Sequence, residues 1–379
     1  MNICIVTPGY PIKGHPFFVF VERLVNEFAD LGCNCTVIAP QSITENIIRR
    51  RGFSPKYSNY KTIKGNNVNI LRPYYFSFSN YKLGKFFSFY SRKKAIERVL
   101  EKGKIYPDVI YAHFWEFGLL SFNFARKREI PLFIASGESE IPSFSYLSKS
   151  FLREFSSYVL GVICVSSKNK HESINLGLTK DSKCIVLNNG IDKSSFYKKD
   201  KIECRKKMGF PLQDFIIIFL GAFIERKGSK RVSQAINILS DDKVKSIFIG
   251  RGSDTPTCKG VLYSGSVEND KIIDFLNCAD VFVLPTLKEG CCNAIIEAMA
   301  CGLPIISSSL SFNDDILNEI NSIRINPYDV NELAKSIKYL KNSPDLIQKM
   351  GLESLKISSK LSINFRAKMI IEFINNKKI

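Results

Sequence analysis

The stretch Pro285-Thr286-Leu287-Lys288-Glu289-Gly290-Cys291-Cys292-Asn293-Ala294-Ile295-Ile296-Glu297-Ala298-Met299-Ala300-Cys301-Gly302-Leu303-Pro304 decides the reading of this 379-residue chain. It follows an apolar run, Val281 to Leu284, that reads as a buried strand. Pro285 to Gly290 reads as its turn, and Cys291 to Cys301 as a helix stopped by Gly302 and Pro304. The first N–H groups of such a helix lack intrahelical partners and carry the positive end of the dipole. Cys291, Cys292, Asn293 and Ala294 are therefore candidate donors to a phosphate. Glu289, in the turn beside Gly290, is placed to reach a group attached to that phosphate. Glu297, further down the helix, is placed to accept from the vicinal hydroxyls of a ribose.

Outward from this segment, apolar runs of strand length alternate with stretches of helical spacing. Asn2 to Val6, Asn34 to Ala39, Asp108 to Ala112, Pro131 to Ala135, Leu160 to Val165 and Cys184 to Leu187 form a first series, with a helix over Phe17 to Leu31. Asn188-Asn189-Gly190-Ile191-Asp192 interrupts it with a turn. Phe215 to Leu220, Val244 to Ile249, Val261 to Tyr263, Val281 to Leu284 and Pro304 to Ser307 form a second series. The alternation predicts an α/β protein with doubly wound parallel sheets, and a length of 379 residues with 45% hydrophobic content supports two domains.

The spacing of Glu289 and Glu297, within the run from Glu289 to Pro304, resembles the E-x7-E signature of retaining glycosyltransferases of family 4. The resemblance implies the GT-B fold, two Rossmann-like domains facing across a cleft, with a nucleotide sugar as donor. It divides the chain into an acceptor-side domain, 1–190, and a nucleotide-sugar-binding domain, 191–355, with the last helices, about 355–379, packing back on the first. Phe219-Leu220-Gly221-Ala222-Phe223-Ile224-Glu225-Arg226-Lys227-Gly228 resembles the family's GR…KG loop, whose cations face the donor diphosphate. Lys227 matches the lysine. Ala222 stands where an arginine is usual, and Arg226 is the candidate substitute. Cations at a helix start oppose the dipole, so their presence before Ser229 hints at an anionic ligand.

By the same resemblance, Gly14 lies in a loop that closes over the donor, Gly250 in a strand-end turn beside it, and Val267 in the segment that meets the nucleobase. His113, after a strand, would hydrogen-bond the transferred sugar, and Glu138 or Glu140 would touch sugar or acceptor. Taken singly, the glycine turns also have an ordinary structural explanation, and His113 the reading of a satisfied core histidine. The implied chemistry is same-face glycosyl transfer, in which the leaving phosphate takes the acceptor proton. His113, Arg226, Lys227 and Glu289 form the catalytic set, and no metal or other cofactor is expected because cations and helix amides balance the charge. The matched branch implies a polyprenyl-diphosphate-linked saccharide acceptor in surface-polysaccharide assembly. A sugar-nucleotide epimerase of the same fold, or a catalytically silent nucleotide-binding protein if Ala222 marks lost function, stays open. A nicotinamide-dependent dehydrogenase is disfavoured, because Thr7-Pro8-Gly9-Tyr10 lacks the G-x-G-x-x-G pattern.

The net charge of +18 is uneven: residues 1–200 hold 29 Lys/Arg against 16 Asp/Glu, the remainder 25 against 20. Clusters at Ile48 to Lys64 and Tyr81 to Lys94 account for much of the excess. The second interleaves cations with aromatics, which suits an anionic bilayer surface, unless Phe86, Phe87 and Phe89 are core. The charge comes without zinc-ligand spacing, a helix-turn-helix pattern or an RNA-binding strand motif, so nucleic acid is not an expected partner. Eleven cysteines without CxxC pairing suggest small core residues in a reducing compartment. The absence of a signal-peptide pattern and of any long apolar stretch predicts a cytoplasmic protein, peripheral at the inner face of the plasma membrane.

Overall fold

A computed structural model describes residues 1–12, 18–79, 81–103 and 105–378. The chain forms two compact units, Met1–Leu187 with Ile363–Ile379, and Asn188–Ser362. The sequence places these divisions at 190/191 and about 355. The second falls later because the helix over Pro344–Ser358 stays with the second unit and only the last helix returns to the first.

In the first unit the strands are β1 (Asn2–Val6), β2 (Asn34–Ile38), β3 (Gln41–Ser42), β4 (Tyr57–Lys61), β5 (Asn67–Leu71), β6 (Tyr74–Tyr75), β7 (Val109–His113), β8 (Leu132–Ser136), β9 (Gly161–Cys164) and β10 (Cys184–Val186). Its helices are α1 (Val19–Asp30), α2 (Ile43–Ile48), α3 (Lys82–Lys102), α4 (Trp115–Lys127), α5 (Lys149–Tyr158) and α6 (Ser167–Asn175), joined by the chain's last helix. Eight strands form one sheet in the order β10-β9-β8-β7-β1-β2-β5-β4, parallel throughout except for the antiparallel edge strand β4; β3 and β6 form a separate pair. β7 and β8 are buried along their whole length, as expected where helices cover both faces of a parallel sheet. The order reverses between β1 and β7, which puts a topological switch point at the carboxyl ends of those strands.

The second unit contains α7 (Lys201–Met208), β11 (Phe215–Leu220), α8 (Ser229–Leu239), β12 (Val244–Ile249), β13 (Val261–Gly265), α9 (Ile272–Cys278), β14 (Val281–Leu284), α10 (Asn293–Ala300), β15 (Ile305–Ser308), β16 (Ser322–Ile325), α11 (Val330–Lys341) and α12 (Pro344–Ser358). Its sheet runs β13-β12-β11-β14-β15-β16, all parallel, with the reversal between β11 and β14. α13 (Ile363–Lys378) then joins the first unit. Ile363, Ala367, Ile370 and Ile374 form its buried stripe, and Asn364 donates to Glu27 of α1 at 2.6 Å.

The β11–β14 pair is fastened at one end only. β11 and β12 pair over six residues, whereas β11 meets β14 only at Ile217–Val281 and Ile218–Phe282. At the amino ends, Asp280 accepts from the Ile216 N–H at 2.7 Å and from the buried Arg205 at 2.6 Å. Arg205 also donates to the carbonyls of Cys278, Leu212 and Asp214, so most of its donors are satisfied and the buried charge is tolerated. Beyond Ile218 and Phe282 the two strands share no ladder, and their following loops are free to form a crevice.

Candidate active site

At that crevice the loops after β11 and β14 bring three charged side chains to one point. Lys227 Nζ lies 2.5 Å and Arg226 Nη1 3.0 Å from the same Glu289 oxygen. The hydroxyl of Thr286 donates to that oxygen at 2.9 Å, and Arg226 also donates to the Lys288 carbonyl. Glu289 is only 9% exposed, so these contacts act with little screening by solvent. The backbone locks the loops together as well, with the Leu287 N–H donating to the Arg226 carbonyl at 2.8 Å. Arg226 thus reaches the site from four positions beyond Ala222, while Ala222 itself is exposed.

The loop after β11 needs its glycine. Gly228 has φ 84°, a left-handed conformation, and a Cβ there would come within 2.6 Å of the Arg231 guanidinium. Arg231, on α8 and buried, pairs with Glu225 and donates to the Pro285 carbonyl at 2.8 Å, joining the two loops from beneath. Gly250 and Gly252 serve the same end, since added Cβ atoms would lie 1.9 Å from the Gly221 carbonyl oxygen and 2.2 Å from that of Phe223. Val267 is half-buried in the loop following β13, at the carboxyl edge of the same sheet.

α10 starts at Asn293, two residues later than the sequence predicts. Cys291 is outside the helix and its carbonyl accepts from Asn189 at 3.1 Å, while Asn189 also donates to the Asn293 side chain at 2.8 Å. Cys291 is therefore corrected from helical amide donor to part of the turn, and Cys292 becomes the cap residue. The thiol of Cys292 is pushed up to about 11 by burial, with the Lys227 charge opposing the shift and that of Glu289 adding to it. It is a neutral group between the charged cluster and the first amides of α10. Gly290 is buried beside Glu289, and Glu297 is half-buried in the second turn of α10.

In the first unit, His113 ends β7 at the switch point and is 4% exposed. Burial, aided by the Arg366 charge, lowers its pKa to about 3, so it is a neutral imidazole. Phe20, Tyr111 and Phe114 lie against the ring, and Nδ1 has no hydrogen-bond partner among the described residues. This departs from the satisfied core histidine of the ordinary reading. Glu138 binds backbone, its two oxygens accepting the N–H groups of Trp115 and Gly137 at 2.9 Å each. Burial outweighs these bonds and raises its pKa to about 7. Gly14 lies outside the described residues.

Sequence reading found Arg226, Lys227 and Glu289 singly. It missed Thr286, Arg231 and Asn189, whose only signal was their position in the motif loops and the break. Among the described residues no group of three or more His, Cys, Asp or Glu side chains is placed to hold a metal ion.

Comparison with known proteins agrees with this layout. The model of "Glycosyltransferase Family 4" matches residues 18–195, and that of "Glycosyl transferases group 1" matches residues 214–343. TuaC of Bacillus subtilis strain 168, a glycosyltransferase assigned to teichuronic acid biosynthesis, is 29% identical over 89% of this chain and 88% of its own length. An N,N'-diacetylbacillosaminyl-diphospho-undecaprenol alpha-1,3-N-acetylgalactosaminyltransferase of Campylobacter jejuni is 29% identical over 59% of this chain and 56% of its own. Among solved structures, sucrose-phosphate synthase from Thermosynechococcus elongatus superposes with a TM-score of 0.77 at 16% identity, covering 99% of this chain and 98% of the other. HepE of Anabaena, in complex with UDP and glucose, gives 0.71 at 15% identity over 99% and 100%.

Proposed function

The chain belongs to the family 4 glycosyltransferases of GT-B fold, and on that premise we propose that it transfers a hexose-type sugar, with retention, from a UDP- or GDP-linked donor to a lipid-linked saccharide in cell-surface polysaccharide assembly. The observation that carries the reading is the meeting of Lys227, Arg226 and Glu289 at the β11–β14 switch point, beside the start of α10. The names of the Bacillus and Campylobacter relatives support surface polysaccharide as product and a polyprenyl-linked acceptor.

In this reading the donor diphosphate lies between the two cations and the amides of Asn293 and Ala294. The acceptor hydroxyl oxygen forms the new bond to the anomeric carbon as the bond to the phosphate oxygen breaks. The proton passes to that leaving oxygen, on the same face. Negative charge builds on the nucleoside diphosphate, and Lys227 and Arg226 stabilise it. The diphosphate competes with Glu289 for the cations and frees its carboxylate to orient sugar hydroxyls. Glu297 holds the ribose. His113, neutral, gives a hydrogen bond to the sugar rather than a charge. These fixed cations and amides make the reaction independent of a metal.

The proposed place of work is the cytoplasmic face of an anionic membrane. Leu83, Phe86, Phe87 and Tyr90 of α3 form an exposed stripe at i, i+3, i+4 and i+7, while Phe89, Ile96 and Leu100 are its buried stripe. Of the three phenylalanines in doubt, only Phe89 is core; Phe87 is 53% exposed. Among the described residues no helix is long and apolar enough to cross a membrane.

Incubation in EDTA with UDP- and GDP-hexoses and a short-chain polyprenyl-diphosphate saccharide tests the proposal. A lengthened acceptor whose new anomeric proton matches the donor's configuration is expected. An inverted linkage would overturn retention, and a changed nucleotide sugar without acceptor would replace transfer by epimerisation.

A further inference from the structure

The first unit has a cavity of about 510 Å³ that the donor chemistry does not use. It opens at the carboxyl ends of three adjacent parallel strands: β1 leads into Pro8–Tyr10, β2 into Ala39–Gln41, and β5 into Arg72. Tyr10, Phe18 and Phe53 supply aromatic wall, and Arg51, Arg72 and Glu45 the charge.

Arg72 is the unusual member. It is 5% exposed, yet among the described residues its guanidinium donates only to the Ser58 hydroxyl at 2.7 Å and, weakly, to the Pro11 carbonyl at 3.4 Å. No carboxylate pairs with it among the described residues. The buried Arg205 and Arg231 both have acidic partners. A guanidinium stays protonated, and burying one without a counter-ion costs several kcal/mol, so such a group is best explained by an anion that it meets in function. The surrounding sequence strengthens the case. Residues 46–96 contain 12 Lys/Arg and no Asp/Glu, leaving Glu45 as the cavity's one acid. The same run holds 12 of the 25 exposed large apolar side chains among the described residues. Phe53 links cavity and surface: its ring packs on Tyr74, over which Lys56 lies.

We infer that this cavity receives the diphosphate of the lipid-linked acceptor, with the Arg72 guanidinium as its buried counter-charge and the aromatic walls against the adjoining prenyl or sugar group. The inference rests on the proposed acceptor class. Phosphate chemistry could equally come from a phospholipid headgroup, and the test separates the two.

The full chain carrying Arg226→Ala and Lys227→Ala, which removes the donor cations, is titrated calorimetrically with geranyl diphosphate and with glycerol 3-phosphate. Geranyl diphosphate is expected to bind, and adding Arg72→Met to weaken it at least about tenfold, as loss of charge-assisted hydrogen bonds does. Phe53→Ala, at a half-exposed wall position, is expected to weaken it as well and guards against misfolding of the Arg72 variant. No binding to the double variant, or binding indifferent to both further changes, overturns the inference. Equal binding of glycerol 3-phosphate would assign the cavity to headgroups instead. Arg72→Met in the otherwise native chain should leave UDP and GDP binding unchanged. If neither nucleotide binds the native chain while geranyl diphosphate does, the transferase reading fails and the cavity stands.

Discussion

The two sheets deliver loops to their carboxyl edges by the same topology, but they differ in how the charges at those edges are paired. In the second unit the cations come with their own acid: Lys227 and Arg226 share one oxygen of Glu289. In the first unit the buried Arg72 has no acidic partner among the described residues, and the histidine at the switch point is neutral. Cations already paired with a carboxylate can exchange it for a diphosphate and release that again. A buried cation with no such partner instead favours whichever anion arrives. The difference teaches that the fold fixes where a ligand docks, whereas the pairing of charges fixes how it is held.

Removing one cation breaks the paired side most severely. Lys227→Ala should lower kcat by about 10²–10³-fold, the loss typical of a group aimed at transition-state charge, with Tm little changed. Glu289→Gln sharpens the comparison, because it leaves both cations without their acid. Turnover should fall by about tenfold or more while UDP or GDP binds more tightly, since the competing carboxylate is gone. Weaker nucleotide binding by that variant would show that Glu289 organises the cations without competing for them. On the first unit, Phe87→Ser should weaken binding to anionic vesicles by roughly tenfold, the worth of one buried aromatic, and binding should fall with salt. Equal binding to neutral vesicles would remove the charged surface from the account. Glu297→Ala should weaken nucleotide binding by about tenfold or less without altering the chemical step.

A further test concerns pH, where two opposed shifts leave the native chain's own stability little changed. His113 is lowered to about 3, so the unfolded chain takes up its proton first and stability falls as pH drops below about 6.5. Glu138 is raised to about 7, so the folded chain holds its proton longer and stability rises as pH falls from about 7 to 4.5. The two oppose each other between about 4.5 and 6.5. In urea unfolding, His113→Asn should gain on the native chain as pH falls through that window, and Glu138→Gln should lose. Parallel pH profiles for all three proteins would contradict both assignments.

Much of the fold was legible because its interior strands are continuous apolar runs. β11, β12 and β14 lie where Phe215–Leu220, Val244–Ile249 and Val281–Leu284 were expected. β4 was missed because Tyr57–Lys61 is a polar edge strand whose partner is set by tertiary pairing. The start of α10 slipped because Asn189, over a hundred positions away, holds the Cys291 carbonyl. Local sequence named Lys227, Arg226 and Glu289 but gave no sign that one oxygen joins them, since the β11–β14 adjacency does that. Arg72 was inconspicuous for the same reason. A lone arginine after a strand shows its lack of an acidic partner only when its neighbours are in place.

On the proposed reading, the Lys227–Arg226–Glu289 cluster is a nucleotide diphosphate site. Its most direct test is calorimetric titration of the native protein and of Lys227→Ala with UDP and GDP in EDTA. One of the two nucleotides is expected to bind the native protein without metal, and Lys227→Ala to bind it at least about tenfold more weakly. Equal binding by the two proteins would rule the cluster out as that site, because the nucleotide would then lie elsewhere.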